Sequence, residues 1–103
     1  MSQLELVRAD AQEGVVVVTV RGEIDMATAP DLRATLDELV DDGVSRVVLD
    51  CRALEFLDSS GIGVLVAARK RLGDAGELVI ESPPAHVRKV LDITGVTGHL
   101  TVR

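Results

Sequence analysis

The chain has 103 residues, 47% of them hydrophobic and 27% charged, with a formal net charge of -6. That length supports one domain with a core of its own, and an aromatic content of 1% (one Phe, no Trp, no Tyr) makes the core aliphatic and excludes the stacked aromatic platforms of base-reading proteins. The acidic balance gives no electrostatic footprint for nucleic acid or anionic lipid, and the single Cys excludes an internal disulfide and a Cys-built metal cluster. No apolar run reaches the ~18 residues of a membrane span and the chain starts polar, so a cytoplasmic protein without a signal peptide is expected.

Leu4–Ala9 reads as a partly alternating first strand, and Asp10–Gly14 as a turn. Val15–Arg21 is a β-branched run with apolar residues in both registers, which predicts a central strand covered over most of both faces. The short polar link between the two runs predicts an antiparallel hairpin. The period then changes. Thr28 as cap, Pro30 early and Asp31 three residues after the cap mark a helix start. Leu32, Leu36, Leu39 and Val40 form its apolar stripe, the acids of Asp37–Asp42 its exposed face, and Gly43 its end.

Arg46–Cys51 predicts a buried strand, with Cys51 as a small core residue, and Arg52–Ser59 a loop in which Phe56 is the core anchor. A second helix is expected from Ser59 or Ser60 to about Asp74, with Arg69, Lys70 and Arg71 on its solvated face and Gly76 beyond it. Glu77–Glu81 is a third buried strand, and Pro83 and Pro84 lead into a helix from about Ala85 to Thr94, closed by Gly95. His99–Val102 is a weak last strand. The order β-β-α-β-α-β-α-β predicts an α/β fold with a mixed sheet, mostly parallel with right-handed crossovers. Sites in such sheets lie beyond the carboxyl ends of the strands. The segments Gly22–Ala27 and Arg52–Ser59 share that edge, and they meet if their strands are neighbours.

The run Asp58-Ser59-Ser60-Gly61-Ile62-Gly63 stands where a buried strand hands over to a helix. Two hydroxyls sit at a helix start, where free N–H groups and the macrodipole favour an anion. Gly61 and Gly63 remove bulk from the first turn at a cost of ~1 kcal/mol each in helix propensity. Asp58 or Ser59 caps the helix in the plain structural reading, with the glycines relieving crowding against the sheet. Enzyme readings fit less well. A phosphate-binding Walker loop needs a Lys after the glycines, a dinucleotide fingerprint a small residue where Val66 stands, and a nucleophile elbow a Gly where Leu57 or Asp58 stands. His86 and His99 both lie outside this segment, so no general base is evident. A small anion- or nucleotide-binding domain remains the rival reading.

The same run resembles the DSSG-[LIV]-G signature of STAS-domain anti-sigma factor antagonists. Gly22-Glu23-Ile24-Asp25-Met26-Ala27-Thr28-Ala29 resembles the family's G-E-[LI]-D-x-x-T-A segment. The strand Arg46–Asp50 and the late run from Ser82 to Leu91, followed by Gly95, are similar to its pattern as well. The resemblance covers nearly the whole chain and implies a single STAS domain over residues 1–103. It implies a bacterial, non-catalytic partner switch with no cofactor and no metal. The unphosphorylated protein would bind an anti-sigma factor that is also an ATP-dependent serine kinase of the GHKL type, releasing a sigma factor for transcription. Phosphorylation of Ser59 would end that binding, and a PPM-type serine phosphatase would reset it. Asp25 and Asp58 would flank the serine, Ser60 would shape the loop, and Met26, Thr28, Gly61, Ile62 and Gly63 would complete the partner-binding surface. No direct contact with nucleic acid or membrane is implied. A STAS subunit of a stress-signalling or transporter assembly is the alternative within the family. Family members usually carry a further helix after the last strand, and Arg103 stands where it would begin, so that helix is expected to be absent.

Overall fold

A computed structural model describes residues 3–103. These form β1 (Leu4–Gln12), β2 (Val15–Ile24), α1 (Ala29–Asp41), β3 (Arg46–Leu57), α2 (Ser59–Leu72), β4 (Glu77–Glu81), α3 (Ala85–Ile93), a 3₁₀ turn (Val96–Gly98) and β5 (Thr101–Val102). The sheet runs β1-β2-β3-β4-β5. β1 and β2 pair antiparallel, and every later neighbour is parallel. The predicted element order and mixed sheet are therefore present.

Alternation decides what faces the helices. Val16, Val18 and Val20 of β2, Val47, Leu49 and Cys51 of β3, and Leu78 and Ile80 of β4 join one cluster with Leu32, Leu36 and Leu39 of α1 and Leu65 and Ala68 of α2. Val87 and Leu91 of α3 complete it, together with Val96 and Leu100. Truncating a fully buried residue such as Leu36 to Ala removes about 2–5 kcal/mol. Every buried apolar side chain of the three helices belongs to this cluster, so the helices serve one face of the sheet. Val48 and Val79 lie outside it, aligned with Val17 across the other face. Val15, Val17 and Thr19 there are half-buried, less covered than the fully buried Val16, Val18 and Val20 on the helix side.

The largest departure from the predicted boundaries is β3, which continues through Arg52–Leu57 where a loop was expected. β2 likewise extends to Ile24, and the two strands run on as a ribbon beyond β4, which pairs only with Arg46–Asp50. The register slips twice along this ribbon, between Thr19 and Arg21 and again between Gly22 and Glu23, with one extra residue on β3 each time. Each bulge resets the two-residue alternation. Cys51, Leu54 and Leu57 are consequently all buried although they are three residues apart. That spacing hides the strand from a search for alternation.

The ends of the helices also differ in detail. α2 stops at Leu72 with Gly73 as its left-handed cap, short of Asp74 and Gly76. Arg69 donates to the Gly73 carbonyl at 2.9 Å, and Arg71 reaches Asp37 and Asp41 of α1 at 2.8 Å each. These two arginines thus belong to the helix end and to the α1–α2 seam, rather than to a free solvated face. The last strand shortens to Thr101–Val102, because Gly95 turns left-handed and the 3₁₀ turn takes up the chain before Leu100 drops into the core.

Candidate functional site

The carboxyl ends of β2 and β3 are joined by a backbone hydrogen bond, Asp58 N–H to the Ile24 carbonyl, at 3.2 Å. The two segments expected to share an edge therefore meet. Gly22 lets β2 reach this point. Its φ is +106°, and a Cβ there would overlap the Gln3 carbonyl oxygen, which accepts from Glu23 N–H at 2.9 Å.

Beyond Ile24 the loop closes on itself. Asp25 Oδ1 accepts from the backbone N–H groups of Ala27 at 2.9 Å and Thr28 at 3.1 Å. The Thr28 hydroxyl gives its proton to the Glu23 carbonyl at 2.8 Å, accepts from Asp25 N–H at 2.9 Å, and lies 3.3 Å from Asp25 Oδ1. Thr28 is only 3% exposed. It occupies the N-cap position of α1 as expected, yet its side chain caps no helical N–H and instead ties the loop to the strand. Its side chain thus lies on the inside of the loop.

At the second loop Asp58 is the N-cap of α2. Its Oδ1 accepts from Ser60 N–H at 2.8 Å and Gly61 N–H at 3.4 Å. Gly61 and Ile62 are buried, Ile62 within the main cluster. A Cβ on Gly61 would lie 2.5 Å from Ile24 Cγ2 and 2.5 Å from Leu57 Cδ1. Gly61 is thus the close approach that seats α2 on both strand ends. Gly63 differs, being exposed, and a Cβ added to it would meet nothing within 4 Å. Ser59 is exposed at the first helical position, and its hydroxyl makes no hydrogen bond among the described residues, while Ser60 is half-buried. Met26 stands 80% exposed at the tip of the neighbouring loop.

Two further side chains bear on the chemistry. Burial, with a smaller contribution from the Asp50 charge, pushes the Cys51 thiol up to about 12, so it is an inert core group at neutral pH. Phe56, expected to anchor the loop in the core, is 44% exposed. The bulge beside Glu55 turns it outward while Leu54 and Leu57 point in. Residue composition gave no sign of this, since a lone aromatic in an apolar stretch reads as core. His86 Nε2 lies 2.6 Å from the Glu55 carbonyl, at the edge of β3 left open beyond β4. Among the described residues no group of three or more His, Cys, Asp or Glu is placed to hold a metal ion. No helix of the described residues is long and apolar enough to cross a membrane.

The sequence profile of the STAS domain matches residues 7–103. The chain belongs to the STAS domain family. BtrV of Bordetella bronchiseptica is 37% identical over 87 residues, spanning 84% of this chain and 75% of the relative. The anti-sigma-F factor antagonist RsfB of Mycobacterium tuberculosis is 31% identical over 83 residues, 81% of this chain and 68% of the relative. Among solved structures, an anti-sigma factor antagonist from Mycobacterium paratuberculosis superposes with a TM-score of 0.88 at 32% identity, over 96% of this chain and 84% of that one. SpoIIAA in its unphosphorylated form superposes at 0.83 with 24% identity, over 96% of this chain and 88% of that one, which shows the shared fold. In this STAS domain the signature run is the α2 start, and the upstream segment is the self-bonded loop that braces it.

Proposed function

We propose that this STAS domain is an anti-sigma factor antagonist switched by phosphorylation of Ser59. The observation that carries the reading is the Ser59 hydroxyl: exposed, without a hydrogen-bond partner among the described residues, and held on the first turn of a braced helix. Relatives named as anti-sigma factor antagonists support the same reading. The partner is an anti-sigma factor that also acts as a GHKL-type serine kinase, and a PPM-type phosphatase restores the serine. Ser59, Met26 and Gly63 form the exposed part of the contact surface. Asp25, Asp58, Ser60, Thr28, Gly61 and Ile62 hold it in shape. The protein works in the cytoplasm as a regulator, without catalysis of its own.

The electrostatics support a switch that leaves the fold alone. A phosphoserine carries about -1.5 to -2 charges at pH 7. Asp58 already fills the Ser60 and Gly61 N–H groups, so a phosphate on Ser59 faces a carboxylate instead of free donors. A partner seated on the unmodified serine would then have to desolvate a dianion beside that carboxylate, at a cost of several kcal/mol. Each ~1.4 kcal/mol is tenfold in affinity. The same occupied N–H groups weigh against the rival reading of an anion- or nucleotide-binding helix start.

The test is direct. Purified protein is incubated with its anti-sigma kinase and ATP, and intact mass is followed. One phosphate is expected on the wild type and on Ser60→Ala, and none on Ser59→Ala. Full labelling of Ser59→Ala would overturn the assignment.

A further inference from the structure

Four large apolar side chains are exposed among the described residues: Val7, Met26, Phe56 and Ile93. Two of them, Met26 and Phe56, stand at the end of the sheet that carries Ser59. Met26 follows β2, and Phe56 lies opposite Glu23 in register, three residues before Ser59. Phe56 is the chain's only aromatic residue. Neighbouring Leu54 and Leu57 are 2% and 4% exposed, whereas the bulge leaves Phe56 in solvent. An aromatic held outward by a rigid two-strand ribbon loses little freedom on docking, and aromatics and Met are enriched where protein interfaces are buried.

The charges around it set the chemistry of what docks. Glu5, Asp50, Glu77 and Glu81 of the sheet are each bridged to an arginine. Glu23, Asp25, Glu55 and Asp58, around the ends of β2 and β3, have no salt-bridge partner among the described residues. Arg21 and Arg52 line a shallow hollow with Glu55, Pro84 and His86 beside this ribbon, but their charges are met by Glu5 and Asp50. The ribbon end is therefore apolar at two points and negative without compensation.

We propose that Phe56 and Met26 anchor the anti-sigma partner beside Ser59, in an apolar recess of that protein rimmed by Lys and Arg. This rests on the function proposed above and extends its contact surface from the α2 start down the β3 ribbon. The anchor works from outside the phosphorylation chemistry, so it contributes to partner affinity whichever state Ser59 is in.

The test is calorimetric binding of the purified anti-sigma kinase to wild type and to Phe56→Ser, Met26→Ser, Val7→Ser and Ile93→Ser, with circular-dichroism melts of each. Phe56→Ser is expected to weaken binding at least about tenfold, and Met26→Ser by a smaller factor. Val7→Ser and Ile93→Ser should stay within about twofold. Wild-type affinity should fall as salt rises. Should Phe56→Ser melt early, the fully folded Met26→Ser and Phe56→Leu decide: the first must weaken binding and the second must retain most of it. Equal affinity for all variants, or an equal loss in all four, overturns the anchor. Affinity insensitive to salt overturns the basic rim. Absence of any complex with wild type overturns the proposed function along with it.

Discussion

Gly61, in the first turn of α2, sits so close to Ile24 at the end of β2 that a Cβ on it would stand 2.5 Å from Ile24 Cγ2. Ile24 is 2% exposed and Leu57, the other near neighbour, 4% exposed, so neither side chain can swing away. The signature glycine is thus a steric joint between the two loops.

Gly61→Ala is expected to destabilise by about 1–3 kcal/mol from overpacking, more than the ~1 kcal/mol of helix propensity it recovers. Gly63→Ala should do the reverse. Nothing lies within 4 Å of its added methyl group, so up to about 1 kcal/mol of stability is gained. Its methyl group nevertheless stands on the proposed contact surface, so partner binding should weaken. Urea unfolding of both variants, with calorimetric binding for Gly63→Ala, checks the pair. A destabilised Gly63→Ala would mean that the second glycine also serves the fold.

The sequence presents Asp25 as an exposed loop acid, whose removal changes stability by no more than about 0.5 kcal/mol. Its hydrogen bonds give a different expectation. Asp25 Oδ1 holds Ala27 N–H and Thr28 N–H, and Thr28 in turn holds the Glu23 carbonyl. Asp25→Ala should cost about 1–2 kcal/mol. Asp25→Asn should cost less, because its amide oxygen still accepts. If thermal melts show Asp25→Ala equal to wild type, the loop is not held by its own acid. Kinase labelling of both variants then separates loop shape from charge.

Cys51 supplies a pH dependence. Below about pH 8.5 the thiol is protonated in both the folded and unfolded chain and contributes no slope. Above that, the unfolded thiol ionises while the folded one keeps its proton up to about 12. The unfolded state then binds fewer protons, so stability falls as pH rises through this window, by about 1–2 kcal/mol at pH 10. Urea unfolding at pH 7.5 and pH 10 should show the decline in wild type and a smaller one in Cys51→Ala. A thiol reagent at neutral pH should leave the native protein unlabelled. Rapid native labelling would mean that Cys51 is reached without unfolding.

How far the fold is legible in the sequence depends on which periods survive. Leu32, Leu36 and Leu39 keep the helical spacing and are all buried, and Val16, Val18 and Val20 keep the alternation of a strand. The start of α2 is legible because an Asp followed by small and polar residues has a fixed meaning at a helix N-cap, and Asp58 takes that place. The β3 extension was not. Its two bulges convert alternation into the spacing of Cys51, Leu54 and Leu57, and the same irregularity turned Phe56 outward. Nor does the sequence reveal that Thr28 spends its hydroxyl on Glu23 rather than on capping α1, because the residue type is the same for both jobs.

The remaining prediction separates a charge switch from a folding switch. Ser59 is exposed on the first turn of α2, where the helix macrodipole favours a negative group by about 0.3–1 kcal/mol. Asp58 opposes that gain, since its carboxylate already sits on the Ser60 and Gly61 N–H groups. The two effects nearly offset, so Ser59→Asp should melt within a few degrees of wild type. At the interface they do not offset. A partner docked over Ser59 must strip water from the new carboxylate as well as from Asp58, and Ser59→Ala presents no such group. Ser59→Asp should therefore bind the anti-sigma kinase at least about tenfold more weakly than Ser59→Ala, which is ~1.4 kcal/mol. The deficit should be smaller than that of the phosphorylated protein, because Asp carries less charge and fewer acceptor oxygens. Calorimetry of the three forms against one partner, with melts alongside, gives the answer. Equal affinities for Ser59→Asp and Ser59→Ala would rule out an electrostatic switch. A collapsed melt for Ser59→Asp would show instead that negative charge acts by unfolding α2, and the docking account would fall.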